Sequence, residues 1–476
     1  MIQPLPRLSL LIFIGLLVCA GARPAELTAQ QQRGRQIYQE GLDSVGQPVS
    51  ALLNGDNTPL PGPACAGCHG RDGRGKPEAG YNPSDLRWRE LTRASTASNN
   101  SGRSHPPYSD HFLIRAITLG IDPAGNHLDN AMPRFQLRLS DAEDLLSYLR
   151  VLGDLNDDGI DGSSIKIGVL LPSPKRMPAL NREVRGILTR YFAGISSRGG
   201  IYARRIDVVF ADLPDALERA PEAVKAFLGQ THPFALVASF LAGAEEPIAA
   251  VANQQGIPVI AAFTWFPHEP TAARDYVFYV DAGLAGEAES LAAYARKNLP
   301  GSHTRMAACV SEAPSSSLLT QSIRKSLDES AIPLQILPAS ICQRSPQQLA
   351  TLNIGAVFWT SIESGPDTFI RAAAAKSWAP LVLVPGSLFA RPPVASEHLV
   401  VSSSQTAAGA KAVAAAQVFV EALTRSGHDV SRESLIQTLE GIYDFETGYS
   451  QTLRFGPGRH VGSNGSRVLT LDPPRR

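Results

Sequence analysis

The residues with the most specific chemistry form the short motif Cys65-x-x-Cys68-His69. Two thiols at this spacing can each bond to one vinyl group of a single haem, and the adjacent histidine can then ligate the iron. A zinc site is the alternative, and it needs further ligands at compatible spacing. The nearest candidates for such ligands are His105, His111 and His127. We predict one covalently bound haem c, held by Cys65 and Cys68, with His69 as an axial ligand.

A sixth iron ligand is predicted at Met132, in the segment Met132-Pro133-Arg134-Phe135. The chain has four methionines, and the others lie outside the region around the motif: Met1, Met177 and Met306. A thioether raises the reduction potential relative to two histidines, which favours electron transfer over oxygen chemistry. A methionine that only fills the core is the alternative, and His127 or His111 could also ligate iron.

The charge balance argues against two classes of partner. The chain carries 44 Lys and Arg residues against 44 Asp and Glu residues, a formal net charge of zero. It therefore offers no electrostatic reason to expect nucleic acid or an anionic membrane surface as a partner.

The N-terminus has the pattern of an export signal. Arg7 precedes the apolar run Leu8–Val18, and Ala20-Gly21-Ala22 follows. This order is typical of a secretory signal peptide cleaved after Ala22, which places the protein in the periplasm. The run is shorter than the ~20 residues that span a bilayer, so we predict no membrane span. Lipidation at Cys19 is the alternative, although Val18 stands where a lipoprotein signal needs a small residue.

The pattern changes along the chain in a way that predicts two domains and a linker. Helical patterns cover Leu27–Gly41, Asp110–Leu119 and Ser140–Leu152, where Ser140 and Glu143 have capping-box spacing. A polar acidic stretch follows. The predicted order is a signal peptide (1–22), a helical domain (23–152), a linker (153–164) and a second domain (165–476).

The second domain alternates short apolar runs with amphipathic stretches, which predicts a doubly wound α/β fold. The alternation restarts near Arg305, as expected for two similar lobes. The predicted strands are Ile165–Leu171, Ile206–Phe210, Ala235–Ser239, Pro258–Ala262, Met306–Val310, Ala356–Thr360 and Leu381–Val384. The predicted helices include Met177–Ser196, Glu245–Gln255, Leu284–Asn298 and Ala407–Arg425.

The first domain resembles the single-haem class I cytochrome c domain over residues 27–152. The matching pieces are Arg33-Gly34, Ile37-Tyr38, Cys65-x-x-Cys68-His69-Gly70, Met132-Pro133-Arg134-Phe135 and Tyr148-Leu149. The resemblance implies an all-α domain whose first and last helices cross, with Gly34 and Tyr38 packed on Tyr148.

The second domain resembles the type I periplasmic binding protein fold, and within it the leucine/isoleucine/valine-binding receptors. The matching pieces are Ile165–Pro172, Gly199-Gly200-Ile201, Gly256-Ile257-Pro258, Thr447-Gly448 and Phe455-Gly456. The resemblance implies two Rossmann-like lobes that close on a small molecule.

The resemblance also carries ligand-binding positions onto this chain. In the first lobe these are Ser239, Ala262 and Thr264; the two tyrosine positions fall at Ser315 and Glu363, and the acid position falls near Gly386. Buried charges need partners, so we predict a small-molecule ligand other than a standard branched amino acid. Aromatic side chains that would suit a neutral or partly apolar ligand, or else pack in the core, are Trp265, Phe266 and Trp359.

Two features of the remaining sequence stay open. Cys309 and Cys342 could form a disulfide or remain two buried thiols. Asp154–Asp158 imitates the start of a calcium loop, but Ile165 stands where the bidentate glutamate should be. A solvated acidic linker explains this pattern equally well.

These observations predict an exported electron-transfer cytochrome fused to a receptor domain for a small metabolite, without turnover chemistry of its own. Its redox partner would be a periplasmic dehydrogenase or another cytochrome. One alternative is a solute-binding component of an ABC-type transporter with an accessory haem. Another is an enzyme that oxidises its ligand at the haem, against which Met132 argues because it closes the iron coordination.

Overall fold

The computed structural model divides the chain into two compact units, Met1–Asn156 and Asp157–Arg476. It describes residues 27–470 with internal gaps at 54–57, 76–81, 97–102, 154–156, 269–274, 300–304, 312–313, 329–332, 362–364, 389–397, 405–406 and 449–450. The predicted signal peptide, its cleavage after Ala22 and the alternative role of Cys19 lie outside the described residues.

The described part of the first unit is mainly helical, as predicted. Its helices are α1 (Ala29–Glu40), α2 (Cys65–His69), α3 (Trp88–Leu91), α4 (Asp110–Leu119) and α5 (Leu139–Leu149). It also contains a small antiparallel sheet of order β2-β1-β3, made of β1 (Ser50–Leu52), β2 (Leu60–Pro61) and β3 (Arg134–Phe135). Strands of two or three residues are too short to show a periodic apolar pattern, so the sequence did not indicate them.

The ends of α1 and α5 differ from each other in their capping. Thr28 and Gln31 form a capping box at the start of α1, and the Gly41 N–H donates to the Ile37 carbonyl at its end. The capping box predicted at Ser140 is wrong, because α5 begins at Leu139 after the N-cap Arg138. The Arg138 guanidinium instead pairs with the Asp141 carboxylate in the first turn, with an N–O distance of 2.7 Å.

Helices α1 and α5 cross at Gly34, as the cytochrome resemblance implies. A methyl group at Gly34 would lie 2.0 Å from the Asp144 carbonyl oxygen, so only glycine permits this approach. The Tyr38 and Tyr148 rings pack beside the crossing with centroids 5.5 Å apart. The Arg33 guanidinium binds the Asp144 carboxylate through two hydrogen bonds of 2.7 and 2.9 Å. The crossing therefore combines close backbone packing with a charged pair.

The second unit is built on two twisted sheets. Its strands are β4 (Ser164–Leu171), β5 (Arg205–Asp212), β6 (Ala235–Val237), β7 (Val259–Ala262), β8 (Val277–Asp281), β9 (Arg305–Val310), β10 (Leu334–Pro338), β11 (Ile354–Trp359), β12 (Leu381–Pro385), β13 (Leu399–Ser404), β14 (Val461–Ser463) and β15 (Ser466–Thr470). Within the described residues, the first-lobe sheet has the order β14-β8-β7-β6-β4-β5 and the second-lobe sheet the order β10-β9-β11-β12-β13-β15. All pairings are parallel except that of β15 with β13.

Helices cover both sheets and enclose the cores. They are α6 (Pro178–Ser197), α7 (Ala220–Thr231), α8 (Glu245–Gln255), α9 (Gly283–Asn298), α10 (Pro314–Asp328), α11 (Ala339–Arg344), α12 (Pro346–Thr351), α13 (Pro366–Ala374), α14 (Ala408–Ser426) and α15 (Arg432–Glu440). Helix α14 packs against the first-lobe core although it follows the second lobe in sequence, and β14 joins the first-lobe sheet in the same way. The first lobe is therefore completed by the C-terminal part of the chain.

Each predicted strand of the second domain corresponds to an observed strand, and the predicted helices are observed as α6, α8, α9 and α14. Strands β8, β10, β13, β14 and β15 were not predicted. Strand β10 is one of the two edge strands of its sheet as described, and its side chains are only half-buried or exposed. Such a strand lacks the continuous apolar run that marks a buried parallel strand.

Part of the predicted linker packs on the second unit. The Asp157 carboxylate accepts a hydrogen bond of 2.6 Å from the Arg432 N–H. A methyl group at Gly159 would lie 2.2 Å from the Phe234 nitrogen. Residues 154–156, which contain most of the proposed calcium ligands, lie outside the described residues. No described group of three or more His, Cys, Asp and Glu side chains is arranged to hold a metal ion.

Candidate functional sites

The haem motif forms the short helix α2, which presents two unpaired thiols and an imidazole. Cys65 and Cys68 are both free of disulfide bonds, Cys65 half-buried and Cys68 exposed. Burial raises the pKa of the Cys65 thiol to about 12. The helix ends at His69, and the carbonyl of its C-cap Gly70 accepts a 2.7 Å hydrogen bond from the buried Tyr38 hydroxyl. The α1–α5 crossing therefore holds the end of the haem motif in place.

The His69 imidazole is buried and oriented by a single hydrogen bond. Its Nδ1 lies 2.9 Å from the Ser84 carbonyl oxygen, and only a protonated Nδ1 can donate to a carbonyl. This tautomer leaves the lone pair on Nε2, which is the nitrogen available to a metal. Burial lowers the pKa of His69, against smaller opposing effects of the Ser84 carbonyl and Asp85, so the neutral form is favoured. The donor set fits haem c.

Met132 lies in a loop with dense backbone hydrogen bonding. Its N–H donates to the Asp129 carbonyl at 3.1 Å. The Arg134 guanidinium donates to the Met132 carbonyl and, at 2.8 Å, to the Leu128 carbonyl. Met132 is half-buried and packs against the same apolar cluster as Cys65. The rival ligands His111 and His127 are exposed, so these placements favour the thioether, whose ligand role remains a prediction.

The surroundings of the motif are apolar, as a haem requires. Half-buried apolar side chains of this region pack on the core that contains Tyr38 and Tyr148. They include Leu86, Trp88, Tyr108, Ile114 and Ile117. A largely apolar porphyrin is stabilised by such a lining.

The second candidate site is a small, partly open cavity of about 20 Å³ in the first lobe of the second unit. The loops that follow β4, β5, β6 and β7 line it, so it lies at the carboxyl ends of parallel strands, where open α/β sheets bind ligands. Its lining is mostly apolar and includes Pro172, Met177, Leu217, Phe240 and Trp265, with the exposed Arg176 as the cationic member. Neutral or partly apolar molecules match this chemistry best.

The three predicted first-lobe ligand residues do not line this cavity. The Ser239 hydroxyl is buried and accepts a 3.0 Å hydrogen bond from the Leu170 N–H. Ala262 is buried in the lobe core. The Thr264 hydroxyl donates to the Glu245 carboxylate at 3.0 Å. These contacts lie within the first lobe, and the expectation that the three residues contact a ligand stays a prediction.

The predicted second-lobe positions have different outcomes. Glu363 and the side chain of Ser315 lie outside the described residues. Gly386 has no room for an acidic side chain, because a methyl group there would lie 2.4 Å from the Ser402 carbonyl oxygen. Trp359 is fully buried and stacks on Phe369 with ring centroids 5.3 Å apart, so it is a core residue.

The buried carboxylate of Glu245 is a hydrogen-bonding centre of the first lobe that sequence reasoning did not identify. It accepts hydrogen bonds from Thr264 Oγ1 (3.0 Å), Trp265 N (2.7 Å), Phe266 N (3.1 Å) and Gly243 N (2.8 Å). An acid at the start of a helix is an ordinary sequence feature. The available signal was its position directly after Leu241–Ala244, as the first residue of the predicted helix Glu245–Gln255.

Cys309 and Cys342 form a disulfide, which decides between the two alternatives left open by the sequence. Their Cα atoms are 6.2 Å apart, and both residues are fully buried. The bond joins β9 to α11 in the second lobe. Disulfides of this kind persist in oxidising compartments.

Comparisons with known proteins agree with this geometry. The cytochrome c family model matches residues 32–153, and the periplasmic binding protein family model matches residues 164–376. The chain therefore contains a cytochrome c domain followed by a periplasmic binding protein domain. No curated protein matches the chain significantly.

Two similar solved structures each cover about two thirds of this chain. An ABC transporter substrate-binding protein from Desulfitobacterium hafniense has a TM-score of 0.53 at 16% identity, covering 65% of this chain and 98% of its own. A putative branched-chain amino acid ABC transporter protein from Rhodospirillum rubrum has a TM-score of 0.50 at 15% identity, with 65% and 98% coverage. At these low identities, the structural similarity shows the fold alone. Among the described helices, none has the length and hydropathy needed to cross a bilayer.

Proposed function

We propose that this protein is an exported c-type cytochrome that transfers single electrons and carries a receptor domain for a small metabolite. The observation that carries the proposal is the orientation of His69. Its Nδ1 is committed to the Ser84 carbonyl beside two free thiols, which leaves Nε2 for iron. Cys65 and Cys68 would attach one haem covalently, and bound haem would supply a one-electron Fe(III)/Fe(II) couple.

Electron transfer, rather than turnover at the iron, is supported by Met132. The residue packs on the core that Cys65 also contacts, in a loop held by Arg134. A thioether in the sixth position leaves no coordination site for oxygen or substrate. The protein would accordingly have no turnover chemistry of its own and would exchange electrons with a partner, either a periplasmic dehydrogenase or another cytochrome.

Export to the periplasm has independent support from the Cys309–Cys342 disulfide. A disulfide indicates an oxidising compartment. The signal-peptide pattern at residues 7–22 predicts the same location. The receptor domain would there recognise a substrate of the partner oxidoreductase or sense a metabolite.

Carbon monoxide binding to the reduced holoprotein tests the electron-transfer proposal. We expect a single one-electron wave in a spectroelectrochemical titration and no rapid change of the ferrous spectrum under carbon monoxide, because Met132 closes the coordination. Met132→Ala should bind carbon monoxide readily. Rapid binding to the unmodified protein would instead favour an enzyme with open iron coordination.

A role in solute transport is the second candidate. The structural neighbours of the second domain are named as components of ABC transporters. Gene context distinguishes the two roles: a permease gene beside this one would favour transport, and a dehydrogenase gene would favour electron transfer.

A further inference from the structure

Four hydrogen-bond donors from two loops converge on one carboxylate in the first lobe. The loop after β7 contributes the Thr264 hydroxyl and the Trp265 and Phe266 N–H groups, all to Oε1 of Glu245. The loop before α8 contributes the Gly243 N–H to Oε2. We call these four groups the donor nest. Hydrogen bonds to a charged acceptor are about twice as strong as neutral ones, so the donor nest is chemically an anion-binding site.

The donor nest adjoins the cavity. Trp265 donates its N–H to Glu245 and also lines the cavity with its side chain. Ala242, which lines the cavity too, precedes the donor residue Gly243. A ligand in the cavity would therefore have the donor nest within reach if Glu245 did not occupy it.

We propose that the Glu245 carboxylate fills a latent anion-binding site and thereby excludes small carboxylates from the cavity. Glu245 is 7% exposed, so its charge is largely removed from water and depends on the donor nest. An incoming carboxylate would have to displace it and leave a buried charge without partners, which is strongly unfavourable. Glu245 is on this view the residue that restricts the site to ligands without a carboxylate. The inference deepens the proposed receptor function and rests on it.

Removing the Glu245 side chain should open the donor nest to an external anion. Glu245→Ala in the full-length holoprotein is heated in sodium acetate, with sodium chloride at equal ionic strength as the reference. Acetate at about twentyfold its Kd should raise the melting temperature of the second domain by about 3–6 °C. Glu246→Ala is the matched control, because Glu246 is the exposed neighbour on the same helix and carries the same charge. The control and the unmodified protein should show no acetate-specific shift.

A second variant covers the case in which Glu245→Ala does not fold. Glu245→Gln keeps an acceptor for the donor nest but removes the negative charge beside the cavity. We expect it to bind isovalerate at least tenfold more tightly than the unmodified protein does, measured by isothermal titration. If neither folded variant gains affinity for a carboxylate, Glu245 does not guard an anion site and the inference is overturned.

The outcome also separates this inference from the proposed receptor function. If the variants gain affinity for a carboxylate while the unmodified protein binds no metabolite from a broad panel, the latent anion site is supported and the receptor role is rejected. If the unmodified protein binds a metabolite and the variants gain no affinity for carboxylates, the receptor role is supported and the latent anion site is rejected.

Discussion

The two domains place their chemistry in opposite ways along the chain. In the cytochrome domain, Cys65, Cys68 and His69 lie within one short helix, and the fold adds the Ser84 carbonyl that orients the imidazole. In the periplasmic binding protein domain, the cavity is assembled from loops after four separate strands. The ligand of a contiguous motif can be predicted from the sequence. A site assembled from loops does not, because each loop supplies only one or two groups whose meaning depends on their neighbours.

The largest effect should come from the contiguous site. Replacing Cys65 and Cys68 together by Ala should remove all haem that survives acid–acetone extraction, since no thioether bond can form. The pyridine haemochrome assay measures the remaining haem. The matched control is Cys309→Ala with Cys342→Ala, which replaces the same number of cysteines, here the disulfide pair, and should keep the haem in the folded fraction. If the variant without Cys65 and Cys68 retains haem after extraction, these cysteines do not attach the haem.

The assembled site should fail to bind the ligands that its fold suggests. A branched amino acid would meet a donor nest that Glu245 already occupies, and separating a buried charge from its partner costs about 3–5 kcal/mol. That cost corresponds to two or three orders of magnitude in affinity. We expect leucine, isoleucine and valine to bind no more tightly than about 1 mM, or −4 kcal/mol. A micromolar dissociation constant in isothermal titration of the holoprotein would favour the transport role.

The predicted sixth ligand, Met132, tests whether the haem site also includes a residue far from the Cys65–His69 motif in sequence. Met132→Ala should abolish the weak charge-transfer absorption of methionine-ligated ferric haem. It should also lower the reduction potential by on the order of 0.1 V, within the ~0.8 V range that axial ligands span. His111→Ala and His127→Ala should change neither property, because both side chains are exposed. A histidine variant with the altered spectrum would transfer the ligand role to that residue.

The smallest expected effects are changes in stability when a helical glycine is replaced by alanine. The change is destabilising in one domain and stabilising in the other. Gly34→Ala should destabilise the cytochrome domain by about 1–3 kcal/mol, because the added methyl group has no room at the α1–α5 crossing. Gly229→Ala should stabilise the receptor domain by about 0.5–1 kcal/mol, since that helical glycine has no atom within 4 Å of the added carbon. Thermal unfolding followed by the Soret band and by calorimetry measures the two domains separately. A stabilised Gly34→Ala would contradict the observed crossing.

The sequence alone determined the features that rest on local patterns. The haem motif is recognisable because its spacing carries the chemistry. Helix α4 (Asp110–Leu119) and helix α8 (Glu245–Gln255) have the predicted bounds, because apolar periodicity is a property of a continuous segment. The fusion of a cytochrome to a binding protein was likewise evident from motifs, and the family matches confirm it.

Tertiary structure alone decided which distant groups meet. Only the folded chain brings α14 and β14 back to the first lobe, pairs Cys309 with Cys342 and directs Thr264 to Glu245 instead of to the cavity. The physical reason is that a hydrogen bond or a disulfide depends on distance and direction in space. Sequence separation does not determine these for groups on different strands and loops. Thr264 shows the consequence, because the acceptor of its hydroxyl, the Glu245 carboxylate, was visible only in the fold.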